Sequence, residues 1–150
     1  MRRLISAVFL AGLVLLAGCS RQTADKAPNI RYGKDACAEC RMIIGEKKCA
    51  AALIGTDGES VKFDDIGCMK AYLQKNAMTA KYAWVHDYQS DEWIDQRKAV
   101  FVRSEYLVTP MGYGIAAFSA TQASEQFLAD HAGQKISWDE ISETLRKDHE

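Results

Sequence analysis

The chain lacks a strong excess of either charge, and it lacks an apolar run long enough to cross a bilayer. Its 19 Lys and Arg residues are balanced by 20 Asp and Glu residues. No basic run or aromatic-basic stripe is present, which excludes a strongly electrostatic nucleic-acid binder. The apolar run at residues 4–16 is too short for a transmembrane helix. No serine-histidine-acid set, phosphate-binding loop or paired-carboxylate arrangement stands out, so the sequence indicates no familiar catalytic centre.

The first eighteen residues are typical of a signal peptide, because Arg2 and Arg3 precede the apolar run. The run ends in Leu-Ala-Gly before Cys19, which resembles the lipobox of bacterial lipoproteins. That resemblance implies that the mature chain begins at an acylated Cys19. Ser20 after it resembles lipoproteins sent to an outer membrane. The alternative is an ordinary secretory signal cleaved near Ala17.

Removal of the leader leaves 132 of the 150 residues and shifts the formal charge from −1 to −3, since the leader holds two arginines and no acid. This length suits one domain with its own core. Residues 19–34 are polar and predict a flexible tether between the lipid and a domain at 35–150.

The hexapeptide CAECRM at residues 37–42 places Cys37, Cys40 and Met42 close together. Thiolates and thioethers select Cu(I), whereas structural zinc sites use thiolate and imidazole. The hexapeptide therefore predicts a soft-metal site. Cys49 and Cys68 are weaker candidates, because each lies beside apolar residues, as buried free cysteines commonly do.

Three other interpretations of these cysteines stay open. An exported protein can hold disulfides, and four cysteines after Cys19 would allow two. Zinc is disfavoured, because no second Cys-x-x-Cys or paired histidines stand at finger spacing. A catalytic dithiol of Cys37 and Cys40 is the rival from the enzyme class, with Arg41 and Lys47 available to lower a thiol pKa.

Hydrophobic periodicity predicts an α+β domain of two similar halves. The first half is predicted to contain strands at 49–54 and 61–63, a helix capped by Asp64 or Asp65, and a strand at 82–85. Strands at 100–102 and 115–118 and a helix at 121–131 repeat that order. A shift of fifty-five residues superposes Phe63 on Phe118, which favours a duplicated unit. Ser137 and Glu140 predict a capping box on a final helix.

Two further candidate ligands lie far from the hexapeptide. Met111 stands in a loop of proline and glycines at 109–114, where neither helix nor strand periodicity explains it as a core residue. It is the fourth candidate sulfur ligand. His86, followed by Asp87, is a less favoured one, because a single histidine at a strand end is more often structural.

Several segments together resemble the NosL family of nitrous-oxide-reductase accessory lipoproteins. They are CAECRM at 37–42, FDDIGCM at 63–69, WVHD at 84–87, EWID at 92–95 and TPMGYG at 109–114. The resemblance covers nearly the whole mature chain. It implies a fold of two tandem ββαβ units in one compact domain, related to part of organomercurial lyase, without lyase activity.

The resemblance also implies a function and a set of ligands. A NosL-like protein is expected to be a periplasm-facing copper chaperone, not an enzyme. It would carry Cu(I) to the apparatus that matures nitrous oxide reductase, including its ABC-transporter-linked periplasmic component, or to the apo-reductase. The family motif implies copper-binding sulfur at Cys40, Met42 and Met111, and less securely at Cys37. Where NosL sequences usually have glycine, this chain has Arg41, which leaves the sulfur ligands intact. A structural lipoprotein without a working metal site is the remaining alternative.

Overall fold

The first half of the domain is a four-stranded antiparallel sheet with one helix. The computed structural model describes residues 26–76 and 78–147. The strands lie in the order β2-β1-β3-β4, so that the first strand is flanked on both sides. The elements are β1 (Ala51–Gly55), β2 (Ser60–Phe63), α1 (Ile66–Asn76), β3 (Ala80–His86) and β4 (Trp93–Asp95).

The second half repeats this arrangement on a smaller scale. Its three strands lie in the order β6-β5-β7, again with the first strand in the middle. The elements are β5 (Val100–Arg103), β6 (Ile115–Phe118), α2 (Thr121–Asp130) and β7 (Gln134–Ile136), followed by α3 (Trp138–Lys147). Both halves thus run strand, strand, helix, strand with the same order in the sheet. The predicted pair of tandem ββαβ units is confirmed.

The shift of fifty-five residues has a clear structural meaning. Phe63 is the last residue of β2, Phe118 is the last residue of β6, and both are fully buried. Each ring therefore closes a hairpin just before the chain enters α1 or α2. Periodicity located neither β4 nor β7, although the expected second ββαβ unit implies a strand in the place of β7. Each has only three residues, too few to show a period of two, and each pairs with a longer strand of its own half.

The central strand β1 is buried along its whole length, which explains its continuous apolar sequence. Its hairpin with β2 turns at Asp57 and Gly58, where Gly58 has a φ of +88°. Asp57 Oδ1 accepts a hydrogen bond of 3.0 Å from the Glu59 amide and stabilises the turn. A single buried cluster joins residues of both halves, for example Leu53 and Phe63 with Phe101 and Ile115. This main cluster spans the two sheets, and a second, smaller buried cluster that includes Val102 and Phe118 lies in the second half.

Two of the helices begin as their sequences predict. Asp65 Oδ1 accepts a hydrogen bond of 2.7 Å from the Gly67 amide at the start of α1. At α3, the Ser137 amide donates to Glu140 Oε2 at 2.6 Å and the Glu140 amide donates to Ser137 Oγ at 3.2 Å. This reciprocal pair is the predicted capping box. Ile141, on the apolar face of α3, then packs into the shared core.

The packed chain begins before residue 35. Pro28 and Ile30 are buried, and the Gly33 amide donates a hydrogen bond of 2.9 Å to Ile44 O. The last residues of the predicted tether therefore belong to the domain. The predicted signal peptide at 1–18, Cys19 and tether residues 20–25 lie outside the described residues. Within 26–76 and 78–147, none of the helices combines the length and the apolar character that a bilayer crossing requires.

Candidate metal centre

The CAECRM segment folds into a tight loop that turns both of its cysteines toward the domain. The Cys37 amide donates to Met42 O at 2.8 Å, and the Arg41 amide donates to Cys37 O at 3.1 Å. Arg41 has a φ of +69°, a left-handed conformation that side chains other than glycine rarely adopt. Glycine would adopt this conformation without that steric cost. The left-handed turn at Arg41 brings the two ends of the loop, Cys37 and Met42, side by side.

A second segment approaches this loop from the end of β2 and the start of α1. The Ala38 amide donates to Lys62 O at 2.9 Å, which ties the loop to β2. The chain then places Asp64 just before α1 and Cys68 in its first turn. Both side chains face the loop, because their ligand atoms lie within 4.8 Å of those of Cys37 and Cys40. Both are buried, Asp64 with 1% of its surface exposed and Cys68 with none.

Four donor atoms meet between these two segments. The ligand atoms of Cys37, Cys40, Asp64 and Cys68 all lie within 4.8 Å of one another. Two thiolates on opposite sides of one metal ion are about 4.6 Å apart, because each metal–sulfur bond is about 2.3 Å long. The four atoms can therefore surround one ion after only a small inward movement. Cys37 is fully buried, whereas Cys40 is partly exposed at the surface.

Hydrogen bonds and burial shift the pKa values of the cysteines in this cluster. The Cys68 thiol donates a hydrogen bond to Cys37, which lowers the pKa of Cys37 to about 6. The same hydrogen bond raises the pKa of Cys68, and desolvation raises the pKa of Cys40 to about 12. The Cys40 thiol donates to Asp64 Oδ2 at 3.2 Å.

The two carboxylate oxygens of Asp64 differ in their hydrogen bonding. Its Oδ1 is buried, and the part of the chain that the structure describes offers it no hydrogen-bond partner. A buried carboxylate oxygen without a partner is costly, so such groups commonly receive a proton or a cation. The orphaned oxygen belongs to the same carboxyl group that contacts Cys40. The donor set thus fits a bound metal ion.

Two methionines on the backbone segments next to the cluster are open to solvent. Met42 ends the CAECRM loop and has 44% of its surface exposed, and Met111 has 38% exposed. The Met111 amide donates to Asp65 Oδ2 at 3.2 Å, and the Thr109 hydroxyl also bonds this carboxylate. Desolvation raises the pKa of Asp65. Asp65 therefore attaches the 109–114 loop to the start of α1, one residue from Asp64.

The folded arrangement resembles known proteins in sequence and in structure. A family model described as NosL matches residues 31–146. This chain belongs to the NosL family. This chain is also similar to the crystal structure of the copper chaperone NosL from Shewanella denitrificans, with 22% sequence identity and a TM-score of 0.66. The match covers 77% of this chain and 95% of that one, so the two share a fold. No curated protein matches this chain. The relation to organomercurial lyase stays a prediction.

The structure brings some of the predicted ligands of this NosL-family chain together and places others nearby. Cys37 and Cys40 are in the buried cluster, and Met42 and Met111 are attached to its edge through their backbones. The role of each as a ligand stays a prediction.

The less favoured candidate, His86, is not part of the cluster. Its Nε2 lies 2.7 Å from Tyr32 Oη and its Nδ1 lies 2.8 Å from Asp91 O. Its ring is stacked on Trp93 with the ring centroids 3.7 Å apart. Burial lowers the pKa of His86, so the ring is neutral in the folded protein at neutral pH. Both nitrogens already have partners, and His86 fills a structural role in the core.

Sequence reasoning missed two members of the cluster. Asp64 was considered only as a helix cap, and Cys68 was ranked with Cys49 as a doubtful candidate. The structure separates the two cysteines, because Cys68 joins the cluster whereas Cys49 is buried apart from it. Desolvation raises the pKa of Cys49 to about 12 and leaves it an inert thiol. No local pattern in the sequence indicates that Asp64 and Cys68 join the cluster, because Asp64 precedes α1 and its approach to Cys68 depends on the fold.

Proposed function

We propose that this NosL-family protein is a Cu(I)-binding metallochaperone. The observation that carries the proposal is the meeting of three cysteine sulfurs and one carboxylate within 4.8 Å. Two exposed methionines, Met42 and Met111, stand on the backbone segments that flank this cluster. Thiolate and thioether donors select Cu(I) over harder divalent ions. The protein called a copper chaperone in Shewanella denitrificans has the same fold, which supports the same class of cargo here.

A carrier must hold its ion firmly and also give it up. Buried thiolates hold Cu(I) and exclude water, because Cys37 and Cys68 have no exposed surface. The exposed edge at Met42 and Met111 is where a partner protein can reach the ion. This division suits a carrier that is not an enzyme.

A thiol–disulfide oxidoreductase is the second candidate, because Cys37 is an acidified thiol beside Cys40. Exchange requires that another sulfur reach the attacking thiolate. Cys37 is fully buried, so this access is lacking in the folded protein. A neighbouring third thiol and an unpartnered carboxylate oxygen also exceed what a simple dithiol needs. Both features favour metal binding.

Anaerobic titration with Cu(I) in competition with a coloured chelator tests the function. We expect one tightly bound equivalent for the wild-type domain and severe loss of affinity for Cys40→Ser. Cys49→Ser is the matched control, because Cys49 is a buried cysteine outside the cluster. Turnover of disulfide substrates without Cu(I) affinity would instead establish the oxidoreductase.

We further propose that the domain is lipid-anchored through Cys19 and faces the periplasm from the outer membrane. Its cargo would pass to the nitrous oxide reductase maturation apparatus, through the ABC-transporter-linked periplasmic component, or to the apo-reductase. The lipobox-like sequence before Cys19 and the family membership support this address. Cys19→Ala should release the protein from membranes, and its quantitative retention there would contradict the anchor.

A further inference from the structure

The sulfur donors around the metal centre fall into two sets that differ in exposure. Cys37 and Cys68 are fully buried, whereas Met42 and Met111 have 44% and 38% of their surfaces exposed. Cys40 is intermediate and contacts Asp64, a member of the buried set. One residue therefore stands between an inner and an outer group of donors.

We propose that Cu(I) occupies two overlapping positions that share Cys40: an inner position that retains the ion and an outer position from which it leaves. Cys37, Cys68 and Asp64 complete the inner position, and Met42 and Met111 complete the outer one. The proposal rests on the proposed copper-carrying function and assigns Cys68 and Asp64 as retention ligands. The ion moves by exchange of ligands, without change of oxidation state.

The buried set has the properties of a holding site. Its donors come from the hydrogen-bonded CAECRM loop and from the segment that leads into α1. The hydrogen bond from the Ala38 amide to Lys62 O ties this loop to β2, which directly precedes that segment. Asp64 Oδ1 is buried without a partner among the described residues and belongs to this set. A cation at the inner position would supply the missing partner. The other carboxylate oxygen accepts from Cys40, so Asp64 contacts the shared ligand.

The exposed set has the properties of an exit. A partner's sulfur cannot reach an ion enclosed by fully buried cysteines, but it can reach one held by exposed methionines. Thioethers are neutral and hold the ion less strongly than thiolates. The Met111 loop is also attached to the metal segment, because Asp65 binds the Met111 amide. In this proposal, an ion that moves outward from Cys40 passes to the exposed thioethers of Met42 and Met111.

The two positions predict opposite effects for two substitutions. Cys68→Ser should retain one equivalent of Cu(I) in the outer position, with affinity reduced at least about 10-fold, because loss even of a group that only orients a ligand costs about 10- to 100-fold. Cys68→Ser should also release Cu(I) to a chelator faster than the wild type does. Met111→Leu should slow release of Cu(I), because the outer position loses a thioether donor while the inner ligands still hold one equivalent.

Matched controls separate these effects from changes in packing. Cys49→Ser removes another buried thiol, and Met78→Leu replaces a partly buried methionine that packs near Gly55. Neither should change affinity or release rate. If Cys68→Ser does not fold, Cys68→Ala and Asp64→Asn test the same inner position. Thermal unfolding of the metal-free variants identifies any that are misfolded.

X-ray absorption of selenomethionine-substituted protein measures whether copper is bound to the methionines, and changes in packing alone do not affect this signal. Copper–selenium scattering should be stronger in Cys68→Ser than in the wild type, because loss of the inner position moves the ion toward the methionines. Wild-type affinity, release rate and copper–selenium scattering in Cys68→Ser would overturn the two-position proposal alone. Failure of the wild-type protein to bind Cu(I) would overturn both this proposal and the proposed function.

Discussion

Replacing Gly67 with alanine tests whether the helix that carries Cys68 is packed directly against the loop that carries Met111. An alanine Cβ at position 67 would lie 2.1 Å from Cδ2 of Tyr113. The ring would have to retreat by about 1.3 Å to reach the 3.4 Å at which ordinary contact begins. Since Tyr113 follows Met111 by two residues, this displacement would also disturb the proposed exit for the ion.

The Tyr113 ring has little room to retreat, because its loop is held at both ends. The Gly112 amide donates to Thr109 O at 3.0 Å, and Gly114 O accepts from the Ser104 amide at 2.9 Å. Gly114 itself has a φ of +62° and packs against the Ser104 carbonyl. A clash of this kind costs about 1–3 kcal/mol. Alanine in place of glycine in a helix recovers up to about 1 kcal/mol. We therefore expect Gly67→Ala to lower the free energy of unfolding by about 1–2 kcal/mol.

A double-mutant cycle measured by urea unfolding checks this reasoning. In a Tyr113→Ala background the clash is gone, so Gly67→Ala should raise the free energy of unfolding by up to about 1 kcal/mol. Gly45→Ala is the control, because no atom lies within 4 Å of its Cβ position, and it should be neutral or slightly stabilising. If Gly67→Ala has the same effect with and without Tyr113, the packing argument is refuted.

Two other predictions concern Arg41 and His86. Arg41→Gly should raise the free energy of unfolding by about 0.5–1 kcal/mol. The left-handed φ of +69° costs the arginine about 1–2 kcal/mol, which glycine avoids. The greater freedom of glycine in the unfolded chain offsets about 0.5–1 kcal/mol of this gain. Urea unfolding measures this change, and a less stable variant would contradict it. The pKa of His86 is lowered by burial, so its stabilising contribution is present above its ordinary value of 6.5 and is lost as the pH falls. Between about pH 7.5 and pH 5, the free energy of unfolding should fall more for the wild type than for His86→Gln. An equal fall in both proteins would exclude His86 as the cause.

Local patterns were enough to predict most of the fold. The alternation around Phe63, the helical spacing after Asp65 and the capping box of Ser137 and Glu140 each depend on residues close in sequence. The spacing between Phe63 and Phe118 likewise revealed the duplicated unit. By contrast, β4 and β7 were missed, because a three-residue strand is specified by its neighbour in the sheet.

The sequence by itself determined that Cys37, Cys40 and Met42 are close together, because six residues cannot separate them far. Only the tertiary structure decided that Cys68 and Asp64 join these cysteines, since their approach depends on the packing of α1 against the CAECRM loop. It also decided the role of His86, whose flanking residues resemble those of a ligand. Tyr32 and the Asp91 carbonyl occupy both of its ring nitrogens, and these partners come together only when the chain folds.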